Sequence, residues 1–394
     1  MWHNICIIAV VKKKNVVYSL ATAIALVLII SCSGCSGIST GFTKVADALT
    51  NPTAREVYAR EFKDNKDVFS TWETAYANAV KDSLEIQLPY GEKGSFIKYT
   101  NQTYAYTFHL EEGEVLVANV ANDFVNQRVF MDVYAEKDTA WQPAESSKTG
   151  GDALEFKVPQ TGRYKIIIQP EIMADTDFFI SLNKRPLYTF PVAGKGNAAI
   201  GSFWGMERDG GKRNHEGIDI FAKRGTPVVA ITNGTISYTG ERGLGGKQVW
   251  LRDGLFGKSL YYAHLDSIAV QDGMNVKTGD TLGFVGNTGN AKTTLPHLHF
   301  GIYQSGAINP LPFVYQTNAI TEAKFSRSFK VTRLKVKGNA NLRQAPDAKA
   351  QMLGTLTAND TVILLGQNND WLHIQTTAGK KAFLHKSLVR EIKG

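Results

Sequence analysis

The chain has 394 residues, 43% hydrophobic and 10% aromatic, with 44 Lys+Arg against 36 Asp+Glu and a net charge of +8. That length sets an expectation of two to four domains, and the composition is that of a folded protein rather than a disordered one. The basic excess is spread out without a dense block, which suits an anionic envelope surface and does not point to a nucleic-acid partner.

Residues 1–37 read as a targeting segment. Lys12, Lys13 and Lys14 precede the apolar stretch 16–30 and then Ser31 and Cys32, the order of a charged region, an apolar region and a small-residue cleavage site. The stretch is short for a membrane span. Ile29-Ile30-Ser31-Cys32 resembles a bacterial lipobox. The resemblance implies lipidation at Cys32, a membrane contact through that lipid, and a location at the cell envelope, periplasmic or outer-membrane facing. Cys35 is the alternative acceptor, and the lysine cluster suggests that translation starts at Val11. All three cysteines lie before residue 36. The body therefore has no disulfide and no cysteine nucleophile, and any metal there must be held by His, Asp or Glu.

Residues 38–94 are expected to be a tether followed by a helical segment. Pro52 suits a first helical turn, and Val68, Trp72, Ala75, Ala79 and Val80 recur at helical spacing, the mark of a packing stripe. Over 95–183 the pattern changes to short alternating runs: 104–110, 114–120, 128–134, 153–158, 163–169 and 177–182, with turn residues such as Glu112-Gly113 and Thr161-Gly162 between them. Strands at this spacing predict a β-sandwich accessory domain. His109 falls in one of them, away from any other candidate ligand, and reads as structural.

Residues 184–200 are expected to be a linker, 201–313 a glycine-rich β domain, 314–328 a second linker and 329–394 a small barrel. The last module resembles a bacterial SH3-type domain through Asn341, Leu342, Arg343, Pro346 and Trp371; His373 and His385 there read as packed or exposed residues. Such a domain implies binding of cell-wall peptide. The fold class expected for the whole is mainly β and multidomain.

Four of the eight histidines, His215, His264, His297 and His299, fall within 215–299. His297 and His299 share one face if 296–303 is a strand. His215 and Asp219 share a face whether that segment is helical or extended, and Gly217, Ile218 and Ile220 favour extended. Glu216 would point away. Spacing leaves open which of His297 and His299 would bind a metal.

The ordered set HEGID (215–219), GTPVVA (225–230), YAHL (262–265), GNTG (286–289) and PHLHF (296–300) closely resembles the lysostaphin-like zinc endopeptidases, the LytM-type cell-wall hydrolases of peptidase family M23. The preceding 202–219 matches as well, and the likeness covers about 195–313. The loop 290–296 departs from the family's usual STGP. The resemblance implies one Zn²⁺ held by His215, Asp219 and His299, with His264 and His297 as the non-ligating catalytic pair. It implies hydrolysis of peptide bonds in peptidoglycan stem peptides or cross-links. The competing expectation is an envelope lipoprotein that binds peptidoglycan or regulates other hydrolases, its site covered by the helical and β-sandwich regions. Gly217, Gly225 and Gly286 are expected to serve turns or close backbone approach.

Overall fold

The computed structural model describes residues 52–62, 66–122, 127–148, 151, 153–254, 257–322 and 332–392. The leader and Cys32 lie outside the described residues. None of the described helices is long and apolar enough to cross a membrane.

Two helices open the described chain. The first, Ala54–Ala59, starts in a capping box: Thr53 accepts from the Glu56 backbone while the Glu56 carboxylate accepts from the Thr53 backbone. The second spans Lys66–Ala79 and buries Phe69, Trp72 and Ala79. Val68, expected in the packing stripe, is instead 37% exposed, and Phe69 is buried in its place. The Trp72 indole donates to the Pro170 carbonyl, which pins the helix onto the sandwich.

All six strands expected in the sandwich are present. Tyr104–Leu110, Gly162–Pro170, Val129–Lys137 and Ala140–Ser146 form one layer. Tyr90–Phe96, Thr176–Pro186, Glu114–Asn122 and Ala153–Lys157 form the other. Two of these eight strands were not foreseen. Ala140–Ser146 is a mostly exposed edge strand containing Pro143, so it carries little alternation to read. Tyr90–Phe96 contains two glycines and the fully buried Glu92, the reverse of a strand signal. It also lies partly before the expected domain start at residue 95.

This unforeseen strand joins two domains. Lys93 and Gly94 pair with Gln367 and Gly366 of the C-terminal barrel, so one sheet runs from the sandwich into the barrel. The join needs glycine on both sides. A Cβ on Gly94 would stand 2.4 Å from the Leu365 carbonyl oxygen, and one on Gly366 would stand 2.0 Å from the Glu92 carboxylate. His373 is fully buried in this junction, with Nδ1 3.1 Å from Glu92 Oε1.

The region 201–313 is an antiparallel β domain in which two sheets pack around one core. One sheet runs Asn275–Val276, Gly234–Arg242, Gly246–Arg252, Ser259–Ala263, His297–Tyr303, Ile218–Phe221, Ile200–Ser202. The smaller one orders Pro227–Val229, Thr281–Val285 and Leu265–Ile268. The two expected linkers are built into this structure. Tyr188, Phe190 and Val192 are buried in the domain's core, as are Phe313 and Val314, and Val192 bridges to Val228. Beyond Val314, Thr317 donates to the Lys184 carbonyl and the Ile320 backbone to Asn183. The sandwich meets the domain at the turn before Glu114, where Gly113 lies against the Phe313 ring and Lys258 pairs with Glu112 at 2.6 Å.

Candidate active site

Register places the first two site residues. Asp219 on Ile218–Phe221 and His299 on His297–Tyr303 are directly opposed in an antiparallel pair, so both side chains emerge on one face. His297 lies two residues before His299 on the same strand and opposes Phe221. His215 reaches the site differently from the expected extended run: the strand begins only at Ile218, and His215 sits on the irregular segment before it. Its backbone is held by exchange with the loop above, the amide donating to Met206 and the carbonyl accepting from Gly205. Gly217 makes this possible, because a Cβ there would stand 2.7 Å from the His299 ring. Glu216 is exposed, as expected.

Three atoms converge. His215 Nε2, Asp219 Oδ1 and His299 Nδ1 are each 3.0 Å from the other two. His215 Nδ1 lies 2.9 Å from the Phe203 carbonyl oxygen, which can only accept, so Nδ1 carries the hydrogen and Nε2 turns a lone pair to the centre. A carboxylate oxygen and imidazole lone pairs that face one another call for a cation between them. The 3.0 Å separations approach the edge of a tetrahedron with ligand bonds of about 2.0–2.1 Å, and one carboxylate with two imidazoles is a zinc-type donor set. The residues therefore fit a zinc ion. They are the one such His/Cys/Asp/Glu group found among the described residues. Burial would raise the pKa of Asp219, but its position beside the His215 and His299 imidazoles holds it well below the usual carboxylate range. Burial likewise lowers the pKa of His299. Both effects leave the pair in its metal-binding protonation state near neutral pH.

His264 and His297 flank this centre. His264 stands at the corner where the chain passes from Ser259–Ala263 in the large sheet to Leu265–Ile268 in the small one. Its φ of 61° is in the left-handed region, a strained backbone for a residue with a Cβ. Its Nδ1 lies 2.9 Å from the Thr288 carbonyl, and His297 Nδ1 lies 2.8 Å from the Leu295 carbonyl. Each ring thus donates its Nδ1 hydrogen to backbone and presents Nε2 as an acceptor. The His297 Nε2 is 4.0 Å from Asp219 Oδ1, and the two rings lie 5.0 Å apart. Burial, with smaller effects from His299 and His297, pushes the pKa of His264 down to about 4.

The five residues singled out from sequence line one cavity of about 740 Å³. Every residue lining it belongs to 201–303; among the described residues, none comes from the helices, the sandwich or the barrel. Sequence reasoning missed Tyr261, Tyr303 and Arg208, which also line it. Of the adjacent tyrosines, Tyr262 is in the core while the Tyr261 ring lies 5.8 Å from that of His299. Strand alternation was the available signal: Tyr261 and Ala263 share a face, and Ala263 opposes His299. Burial pushes the Tyr261 and Tyr303 hydroxyls up to about 12, so both remain neutral donors.

Residues 213–310, which contain all five, match the model of Peptidase family M23, and residues 338–390 match that of Bacterial SH3 domain. The chain is 39% identical over 112 residues to the DD-carboxypeptidase/endopeptidase Mpg of Neisseria meningitidis serogroup B, covering 28% of this chain and 25% of that protein. It is 35% identical over 125 residues to the L-Ala--D-Glu endopeptidase of Bacillus subtilis, covering 30% and 38%. Among solved structures, the catalytic domain of the antimicrobial peptidase lysostaphin from Staphylococcus simulans aligns at 36% identity over 29% of this chain and 89% of that one, with a TM-score of 0.27. The chain thus spans about a quarter of the first of these curated relatives. Residues 213–310 therefore form a peptidase family M23 domain, with endopeptidases among its relatives, and a bacterial SH3 domain follows it.

Proposed function

We propose that this protein is a zinc-dependent endopeptidase that hydrolyses peptide bonds in peptidoglycan stem peptides or cross-links. The observation that carries the reading is the convergence of His215 Nε2, Asp219 Oδ1 and His299 Nδ1 at mutual distances of 3.0 Å, with two further imidazoles beside them. His215, Asp219 and His299 would hold the ion. Bound zinc supplies Lewis acidity, lowering the pKa of water towards about 7 and polarising a carbonyl.

The remaining steps fall to the protein's own groups. With Nδ1–H committed to a backbone carbonyl, neutral His264 or His297 accepts a proton from the attacking water at Nε2. The resulting imidazolium can donate that proton to the leaving amine from the same atom. While it is charged, it also faces the oxyanion that develops on the scissile carbonyl. The neutral Tyr261 hydroxyl, on the same face, is a further donor. The Nδ1 bonds keep both rings in the orientation and tautomer that this exchange needs.

Anchorage at the cell envelope through lipid on Cys32 is part of the proposal and rests on the leader sequence. The barrel would raise the local concentration of wall substrate by tethering. The regulatory alternative needs an occluded site, and a cavity lined, among the described residues, by 201–303 alone gives it no support. The test is release of peptides from purified sacculi by the zinc-loaded protein, with mass analysis of the products. His215→Ala should abolish release. Equal activity or equal inertness of the two proteins on wall substrates would sink the reading.

A further inference from the structure

We infer that Arg208 is a positioning residue for Asp219: its guanidinium dictates which carboxylate oxygen faces the metal centre and so sets metal affinity. The inference rests on the zinc reading above. The two oxygens of Asp219 have different surroundings. Oδ1 lies 3.0 Å from His215 Nε2 and from His299 Nδ1. Oδ2 accepts from Arg208 Nη2 at 3.0 Å. The same Nη2 donates to the Ser202 hydroxyl, and Ser202 is the register partner of Asp219 on the neighbouring strand. The Ser202 hydroxyl is in turn 3.3 Å from His215 Nδ1. One cation thus braces two of the three converging side chains from behind.

A carboxylate without such a partner can turn and offer either oxygen, or both, to an ion. A charge-assisted hydrogen bond occupies Oδ2 and leaves Oδ1 as the single inward donor. The Asp219 side chain is only 12% exposed and that of Arg208 26%, so water competes weakly for the bond. Partners that orient metal ligands in this way typically contribute about 10–100-fold to metal affinity.

Arg208 reaches Asp219 from a two-stranded hairpin, Glu207–Arg208 with Arg213–Asn214. Its cross-strand neighbour Arg213 pairs with Asp209 instead, at 2.5 Å. The hairpin therefore contains its own control: two arginines directly opposite, one touching Asp219 and one not.

The experiment is competition for zinc between a chromogenic chelator and the full chain, with Zn²⁺ as the probe. Arg208→Ala should weaken zinc binding by about 10–100-fold. Arg208→Lys should recover part of the loss, because lysine restores the charge but not the planar fork. Arg213→Ala should stay within about twofold of wild type, and thermal melts of the metal-free variants report whether each is folded. If Arg208→Ala does not melt cooperatively, Arg208→Gln, a polar side chain two bonds shorter and without the charge, should weaken binding by about fivefold or more. Wild-type affinity in the folded alanine or glutamine variant would overturn the inference, as would an equal loss in Arg213→Ala. Failure of the wild-type chain itself to bind zinc would instead overturn the metal reading.

Discussion

Asp219 and His299 stand directly opposite one another on adjacent antiparallel strands, with Oδ1 and Nδ1 3.0 Å apart. His297 shares the strand and the face, but its Nε2 stops 4.0 Å from the same oxygen. The two histidines therefore differ in reach. His299→Ala is expected to lose bound zinc and activity together. His297→Ala should lose activity by about 10²–10⁴-fold, the usual scale of general acid–base catalysis, while keeping most of its zinc. Metal content after dialysis, measured beside peptide release from sacculi, separates them. Equal zinc loss in both would remove the division of roles.

The corner at His264 makes a prediction about stability. A left-handed residue with a Cβ costs roughly 1–2 kcal/mol, and His264 adopts that conformation at φ 61°. Both His264→Gly and His264→Ala should lose activity. The glycine variant should nonetheless be more stable than the alanine variant by about 1 kcal/mol. Urea denaturation of the two decides it, and the opposite order would mean that the strain is relieved elsewhere.

A pH dependence follows from the same residue. Burial first, then the neighbouring imidazoles, hold the folded pKa of His264 at about 4, below its ordinary value of 6.5. Between those values the unfolded chain binds more protons than the folded one, so stability falls as pH drops from 6.5 towards 4. Above that window the contribution is fully present. Denaturation of the metal-free protein across this range, compared with His264→Ala, should show a shallower fall in the variant. Parallel curves would contradict the assignment.

Domain boundaries give a fourth prediction. Tyr188, Phe190 and Val192 are buried in the core of the 201–313 domain, at roughly 1.5–3 kcal/mol for each side chain removed from water. A fragment spanning 195–322 should therefore be less stable than one spanning 184–322 by roughly 5 kcal/mol. Denaturant midpoints of the two fragments measure this, and coincident midpoints would show that the segment adds nothing to the core.

The junction of sandwich and barrel gives the last. Glu92 has no exposure, and its carboxylate accepts from Tyr106 at 2.7 Å, from Tyr90, and from His373. His373→Phe leaves that acceptor short of a donor, which costs about 1–3 kcal/mol. Hydrogen exchange should place the loss in the shared strands Tyr90–Phe96 and Thr361–Asn368 and leave the catalytic sheets protected. Exchange confined to the barrel would mean that the two domains do not unfold as a unit.

The strands with regular alternation were legible in the sequence, because a half-buried strand writes its burial into every second residue. Tyr90–Phe96 was not, since its inward positions include Gly94 and a buried glutamate, and a second glycine, Gly91, lies on the other face. Those choices make sense only beside Gly366 and His373, which lie more than two hundred positions away in the chain. The segment 184–200 misled for a related reason: its prolines and glycines read as a connection, while its few apolar residues fill a core built by a later part of the chain.

By itself the sequence singled out five residues that the fold gathers around one cavity, set the common face of the two that share a strand, and excluded cysteine from the body. These are local properties, set by residue type and by the period of two along a strand. Tertiary structure decided which histidine meets Asp219, that Tyr261 rather than Tyr262 faces the cavity, that Arg208 stands behind the carboxylate, and that sandwich and barrel share a sheet. Those depend on which strands pair and in what register. Periodicity assigns a side chain to a face, but only the pairing of strands distant in sequence assigns it a neighbour.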